Sequence, residues 1–155
     1  MRIDVAQILL DKRLINKDSF EQLQAYNGSN GKTVDKYAVE EGFVSEENIL
    51  QAMGEALDIK YQASLEKFEV PLYFLERVPL SFARANNIAA FGQRGNTFLV
   101  ATSSPLDFRA IDDVSAMLNA DVEPVYAPSV EVANLVSRGY QMQSSGLGQV
   151  LDEID

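Results

Sequence analysis

The chain has 155 residues, 46% of them hydrophobic, which is enough for one ordinary domain or two small subdomains with cores of their own. It contains neither cysteine nor histidine, so disulfides, nucleophilic triads and most transition-metal sites are excluded. The formal net charge of −10 disfavours nucleic acid and anionic membrane surfaces and favours a basic partner, although such a charge also serves simply to keep a protein soluble.

An internal repeat occupies the first third of the chain. Residues 13–20 align with residues 42–49 without a gap, and the same register places Val5 over Val34. In each copy, apolar residues recur at helical spacing on both sides of a tight turn, and a polar capping residue precedes the second run. The sequence therefore predicts two helix pairs, that is, four short helices packed on one another.

A different pattern follows Leu57. Residues 64–70 show no clean period and predict a linker, whereas residues 71–78 predict a brief helical turn. Pro79 is placed to open a further helix, which ends near Asn87. The middle of the chain is thus expected to lead from the helical repeat into a second part.

Strand periodicity begins at Ile88. Residues 88–91 and 97–102 flank a turn that contains glycine, which indicates a hairpin. A third strand is predicted at residues 121–126, where Pro124 cannot donate a hydrogen bond to a ladder and favours an edge position.

Two helices complete this part: residues 107–118 have an amphipathic period, and a helix capped by Ser129 runs to about Tyr140. The predicted fold class is α+β, with duplicated N-terminal helix pairs followed by a small three-stranded sheet that helices cover on one face. The predicted domains are residues 1–60 for the helical part, 61–140 for the α+β part and 141–155 for a flexible linker or tail.

The string from Gly28 to Thr33 ends in Gly-Lys-Thr, as a phosphate-binding P-loop does. A P-loop has a longer spacing between its glycines, so that successive N–H groups can surround the phosphates, and only two residues separate Gly28 from Gly31. A strand pattern before the string is also missing from the sequence. We therefore interpret the string as an interhelical turn.

The densest acidic group is formed by Asp112 and Asp113, with Asp107 before them and Asp121 and Glu123 beyond. Neighbouring residues on a helix diverge by about 100 degrees, so Asp112 and Asp113 do not converge on one ion, and EF-hand spacing is absent from the sequence. A solvated helix face is the better interpretation. The sequence predicts no metal site and no catalytic residue.

Several segments of the chain match, in the same order, segments that are typical of one family of domains. They are residues 8–10, 14–15, 41–49, 57–61, 78–79, 98–102, 105–107 and 111–113. This ordered set, spanning about Val5 to Tyr140, resembles the N-terminal domain of the ATPases of type II secretion and type IV pilus assembly, including the MshE-type N-terminal domain.

The resemblance implies a role as an appendage of an ATPase rather than as its motor. Such domains dock on the cytoplasmic part of an inner-membrane platform protein, so the expected partners are that protein and the ATPase core of the parent chain. The expected location is the cytoplasm, with peripheral association with the inner membrane through partners. Residues 141–155 resemble the start of the linker toward the motor.

Some members of this family bind cyclic di-GMP through the two helix pairs, with an arginine, a glycine and a glutamine in each copy. In this chain the corresponding positions are all replaced, and they are Asp4, Ala6, Asn27, Thr33, Asp35 and Ala56. Arginine grips phosphate and glycine admits the ligand backbone, whereas the carboxylates of Asp4 and Asp35 repel a dianionic ligand. The sequence therefore predicts no cofactor and disfavours cyclic di-GMP.

Two functions of different classes remain as hypotheses. The first is a non-catalytic docking domain whose helical half presents an acidic, partly apolar face to a basic or amphipathic segment of a protein partner. The second is a regulatory domain that binds cyclic di-GMP, which rests on the family resemblance alone. An enzyme is the weakest hypothesis, because histidine, cysteine and a phosphate loop are all missing from the sequence.

Overall fold

The computed structural model describes residues 3–28 and 31–154, with side chains described as far as Gln141. The chain divides into two compact units, which are considered separately below. Unit 1 comprises residues 1–61 and unit 2 comprises residues 62–155.

Four helices make up most of the described residues of unit 1. Its helices are α1 (Val5–Asp11), α2 (Lys17–Ala25), α3 (Val34–Glu40) and α4 (Glu46–Leu57). Helix α1 packs against α2 and α4, and α3 packs against α4. Leu9, Ala38 and Met53 are completely buried among these helices. The prediction of two helix pairs is confirmed.

The turns inside the two pairs have the same backbone geometry. Arg13 and Gly42 occupy equivalent positions, and both have a positive φ, of 62° and 77°. The N–H of Arg13 donates to the carbonyl of Leu10, and the N–H of Gly42 donates to that of Val39. A left-handed residue with such hydrogen bonds is a common way to end a helix, and glycine adopts it at lower cost than arginine does.

The second helix of each pair begins with a side-chain cap. The Oδ1 of Asn16 accepts a hydrogen bond from the N–H of Ser19 at 2.8 Å, and the Oγ of Ser45 accepts one from the N–H of Asn48 at 3.1 Å. These bonds satisfy N–H groups that have no partner within the helix. Both predicted caps are confirmed.

Unit 2 combines helices with a three-stranded sheet. Its elements are α5 (Leu72–Arg77), α6 (Leu80–Asn86), β1 (Ile88–Arg94), β2 (Thr97–Thr102), α7 (Phe108–Leu118), β3 (Asp121–Tyr126) and α8 (Ser129–Ile154). The strand order is β1-β2-β3. The predicted α+β class is confirmed.

The sheet joins an antiparallel hairpin to a parallel pair. Strands β1 and β2 form the hairpin, with an irregularity of register between Ala90 and Gly92. Strands β2 and β3 are parallel and are connected through α7, because a parallel pair requires a crossover. Pro124 on β3 lies opposite Val100 on β2. Strand β3 has one neighbouring strand in the described sheet, and this edge position agrees with the missing N–H of proline.

Both faces of the sheet are covered, whereas the sequence predicted helices on one face. The consecutive residues Ile88, Ala89 and Ala90 are completely buried, and successive side chains of a strand point to opposite faces. Helix α7 packs against β3, and α8 packs against β1 and β2. The physical reason lies in β1, whose first four residues, 88–91, are consecutively apolar, as in a strand that is buried on both faces.

The predicted linker at residues 64–70 is an ordered part of unit 2. Leu65 is completely buried, and its N–H donates to the Glu131 carboxylate at 2.8 Å. The Arg138 guanidinium donates to the carbonyl oxygens of Leu65 and Phe68, at 3.0 and 3.4 Å. The segment has no helical or strand period because side chains of α8, rather than a neighbouring strand, form hydrogen bonds with its backbone groups.

The last helix is longer than predicted. Its expected end near Tyr140 is wrong, because the backbone of α8 is helical to Ile154. Proline is missing from residues 141–154, and an isolated glycine costs a helix only about 1 kcal/mol, so the sequence contains no firm stop. The linker role of residues 141–155 stays a prediction. Within the described residues, no helix is both long and apolar enough to cross a membrane.

Candidate docking surfaces

The six positions that replace the cyclic di-GMP motif differ in exposure. Asp4, Asn27, Thr33 and Ala56 are exposed, whereas Ala6 and Asp35, which are equivalent in the two copies, are buried. The buried pair lies in the first turns of α1 and α3. The contacts of the two acids, Asp4 and Asp35, determine which charge a ligand meets at these positions.

Asp4 is occupied by contacts within unit 1. Its Oδ1 caps α1 by accepting from the N–H of Gln7 at 3.1 Å. Both carboxylate oxygens also accept from the Nε2 of Gln24 on α2, at 3.2 Å each. Asp4 therefore ties α2 to the start of α1 and places a negative charge at this end of the pair.

Asp35 carries a buried carboxylate. The residue is 3% exposed, and its Oδ1 has no hydrogen-bond partner among the described residues. A buried polar atom without a partner loses its hydration and gains nothing in exchange. The position equivalent to the motif glycine thus holds a charge that an anionic phosphate cannot approach favourably.

The loop between the two pairs is a turn, as predicted. It follows α2 and precedes α3, and the N–H of Gly31 donates to the carbonyl of Gly28 at 2.9 Å. Both glycines have a positive φ. The P-loop alternative is therefore excluded by local structure, because the segment before the string is a helix.

An aromatic stack supports this loop. Tyr26 and Tyr37 stack with their ring centroids 4.0 Å apart, and the hydroxyl of Tyr26 donates to the carbonyl of Lys32 at 2.6 Å. Lys32 also forms an ion pair with Glu40, and this hydrogen bond raises the pKa of Lys32 above its usual range. The lysine beside Thr33 is consequently committed to a carboxylate of α3.

Unit 1 exposes further acids that lie outside the ion pairs of the described residues. Asp18, Glu21 and Glu41 are exposed, and none of them forms an ion pair with another described residue. We refer to these three residues as the acidic face; Asp18 and Glu21 lie three residues apart on α2, and Glu41 directly follows α3. Charges of this kind retain their field in solution and attract a basic segment.

The acidic group of unit 2 is a solvated helix face, as predicted. Asp112 and Asp113 are exposed on α7, while the Oδ1 of Asp107 caps α7 by accepting from the N–H of Ala110 at 3.2 Å. Among the described residues, no group of acids is arranged to hold a metal ion.

A groove in unit 2 was not predicted from the sequence. It has a volume of about 410 Å³ and lies between residues 66–70, α5 and α8. The lining includes Glu66, Glu69, Val70, Leu72, Leu75 and Leu135, and we call this surface the α5–α8 groove. Its only signal in the sequence is Gly139, a glycine inside a helix, because such a residue often marks a close approach.

Comparison with known proteins places the chain in a class. The solved structure of MshE with cdg is 22% identical, with a TM-score of 0.74, over 88% of this chain and 99% of that chain. The N-terminal domain of XpsE is 18% identical, with a TM-score of 0.71, over 90% of this chain and 99% of that chain. The fold is thus that of the N-terminal domains of secretion and pilus-assembly ATPases.

The chain belongs to the MshEN domain family, whose pattern matches residues 57–146. It is also 19% identical to the type IV pilus assembly ATPase PilB of Myxococcus xanthus, over 97% of this chain. The match covers 26% of that relative, so the chain spans about a quarter of its length. The predicted resemblance is confirmed, and all six degenerate positions precede the segment that the family matches.

Proposed function

We propose that the chain is a non-catalytic docking domain of a secretion or pilus-assembly ATPase. Its partner is a basic or amphipathic cytoplasmic segment of the inner-membrane platform protein, and its binding surface is the acidic face of unit 1. The observation that carries this proposal is the charge of unit 1: Asp18, Glu21 and Glu41 are exposed and form no ion pair with another described residue.

The divergence of the motif positions supports docking over ligand sensing. The two pairs keep their buried core and their turns, but Asp4 and Asp35 stand where an anionic ligand would need cations or open backbone. A helical scaffold without the arginine and glycine positions that hold a phosphate ligand remains able to bind a protein partner through its exposed charges. The proposed location is the cytoplasmic side of the inner membrane, with association through the partner.

Photo-crosslinking in the full-length parent protein tests the docking surface. A photoreactive amino acid is placed at Glu21 or Glu41, and at Asp112 on α7 as the matched exposed control. We expect a light-dependent adduct between either unit 1 position and the platform protein, identified by mass spectrometry. Equal adducts from the Asp112 position, or none from unit 1, contradict the proposal.

Charge reversal tests the chemistry of the interaction. The double variant Glu21→Lys, Glu41→Lys is expected to weaken binding to the crosslinked platform segment by about tenfold or more, because two attractive contacts become repulsive. The variant Asp112→Lys, Asp113→Lys changes the net charge equally in unit 2 and is expected to have a much smaller effect. Similar losses from both variants would indicate that only the overall charge matters.

The second candidate function is regulation by cyclic di-GMP. The observation that favours it is the similarity to MshE, whose solved structure contains cdg. In this chain, the stacked rings of Tyr26 and Tyr37 are aromatic surfaces suited to a base, but Asp35 opposes the phosphates. Calorimetric titration decides between the candidates: micromolar binding that Tyr26→Ala abolishes favours regulation, and no heat at high ligand concentration removes it.

A further inference from the structure

The α5–α8 groove is built on ordered structure. Residues 64–68 are held on α8 by the Glu131 carboxylate, which accepts from Leu65, and by the Arg138 guanidinium, which donates to Leu65 and Phe68. Phe68 also packs edge to face on Phe91, with ring centroids 5.0 Å apart. One wall of the groove is thus fixed before anything binds, which lowers the entropic cost of association.

The floor of the groove is apolar, and one of its walls is exposed. Val70 and Leu135 belong to the core of unit 2, and Leu75 packs against that core. Leu72, at the edge of the groove on α5, is 62% exposed, the largest exposed fraction among the large hydrophobic residues of the described structure. An apolar cleft next to an exposed leucine is the form of a surface that receives an apolar anchor.

Most of the unpaired charged side chains on the rim of the groove are acidic. Glu66 and Glu69 are exposed, and neither forms an ion pair with a described residue. Lys67 contributes one exposed cation, whereas the Arg138 guanidinium is directed at two backbone carbonyls. The two free carboxylates above an apolar floor complement a segment with basic residues beside its apolar anchor.

We propose that the α5–α8 groove binds an amphipathic helix of a protein partner, with a leucine-like side chain in the cleft and lysine or arginine residues facing Glu66 and Glu69. The volume of about 410 Å³ accommodates an anchor side chain and leaves the rest of the helix on the rim. This surface lies in unit 2 and is separate from the acidic face of unit 1, so it does not depend on the proposed function.

The test uses a synthetic amphipathic peptide with leucines along one helical face and lysines along the other, titrated into the isotope-labelled full chain. Backbone amide shifts are expected to concentrate at Val70, Leu75 and Gly139. The same peptide with glutamate in place of lysine is expected to bind at least about tenfold more weakly. Shifts confined to unit 1, or equal binding of both peptides, would overturn the proposal.

Matched variants separate specific docking from general attraction to an acidic protein. Glu66→Lys with Glu69→Lys is expected to weaken peptide binding by about tenfold, whereas Asp112→Lys with Asp113→Lys, which makes the same charge change, is expected to weaken it by less than about threefold.

Leu72→Ser tests the apolar anchor, with Val130→Ser as its control because Val130 is 60% exposed on the same unit. We expect weaker binding only for the Leu72 variant. Equal losses within either pair of variants contradict the groove as the binding surface, whatever the outcome at the acidic face of unit 1.

Discussion

Asp35 and Ala6 show how equivalent positions of a repeat diverge in chemistry while the backbone is kept. Both are buried in the first turn of a short helix, but Asp35 adds a carboxylate with an unpaired oxygen. The unpaired buried oxygen of Asp35 is present at a cost in lost hydration. Asp35 is therefore expected to lower the stability of unit 1.

The first prediction follows from this cost. Asp35→Ala is expected to raise the free energy of unfolding of unit 1 by about 1–3 kcal/mol, because removing a buried unsatisfied oxygen outweighs the loss of a favourable negative charge in the first turn of α3. Urea unfolding followed by circular dichroism measures the change. Asp18→Ala is the matched control, since Asp18 is exposed in the first turn of α2 and its loss should slightly destabilise that helix. Equal changes for both variants would contradict the account of Asp35.

Tyr140 makes the folding stability depend on pH. Its hydroxyl donates to the carbonyl of Val78 at 2.6 Å, and burial raises the pKa of Tyr140 to about 12. In the unfolded chain a tyrosine ionises near pH ~10, so the unfolded state loses its proton first as the pH rises. The stability is therefore complete below pH ~10 and falls between about pH 10 and 12, by at most about 1.4 kcal/mol per pH unit.

Chemical unfolding at about pH 9 and about pH 11 checks this second prediction. Tyr140→Phe is expected to lose about 1 kcal/mol at the lower pH, because the carbonyl of Val78 loses its donor, and to show a smaller further loss at the higher pH than the original chain does. Parallel pH profiles for the two proteins would show that Tyr140 is not responsible.

At the scale of the element, Gly139 allows α8 to approach residues 70–75 closely. A Cβ at this position would lie 2.7 Å from the Cγ2 of Val70 and 3.4 Å from the Cδ2 of Leu75. The first distance is shorter than any normal contact, so either the helix or Val70 must move. The glycine thus sets how closely the helix lies against the floor of the α5–α8 groove.

The third prediction is that Gly139→Ala destabilises unit 2 by about 1–3 kcal/mol, even though alanine favours a helix, because overpacking outweighs the gain of about 1 kcal/mol in propensity. Thermal unfolding measures the loss. Adding Val70→Ala removes the opposing methyl groups. The double variant should therefore lose less stability than the sum of the losses of the two single variants. Simple additivity would show that the two residues do not oppose each other.

The sequence predicted regular elements well and the ordered irregular segment poorly. Periodicity and residue types that act locally predict strands β2 and β3, the capped starts of α2 and α4 and the chain reversal that the hydrogen bond between Gly28 and Gly31 closes. Residues 64–70 could not be placed, because their order depends on Glu131 and Arg138, which are distant in the sequence.

The candidate surfaces divide in the same way. The charges of the acidic face were visible as residue types in the first third of the chain, whereas the α5–α8 groove requires residues from three segments to meet. A concave surface of this kind has no local pattern in the sequence, and Gly139 was not recognised as a point of close approach before the structure showed it. Long-range packing therefore limits what a single sequence reveals of a binding surface.

At the scale of the whole molecule, the formal net charge of −10 acts on every encounter with a partner. A basic segment is attracted over a distance of about a Debye length, which is ~10 Å at 0.1 M salt and shrinks as salt is added. The charge thus contributes to the rate at which a basic partner arrives, while the local contacts determine how long it stays.

The fourth prediction is that added salt slows association more than it speeds dissociation. Stopped-flow binding of the lysine-rich amphipathic peptide at about 0.05 M and about 0.5 M salt is expected to show an association rate that falls by about tenfold or more. The glutamate peptide, which the chain repels, should show the opposite trend. An association rate that is independent of salt would contradict an electrostatic role for the net charge.

The equivalent turns at Arg13 and Gly42 allow the cost of a left-handed backbone to be compared between two residue types within one molecule. The same left-handed turn is built once with arginine and once with glycine, so an exchange of the two residues leaves the composition of the chain unchanged. The change in stability that Arg13→Gly causes in the first helix pair can be compared with the change that Gly42→Arg causes in the second, within the same protein. A duplicated fold thereby offers a measurement of backbone strain that a protein without a repeat cannot provide.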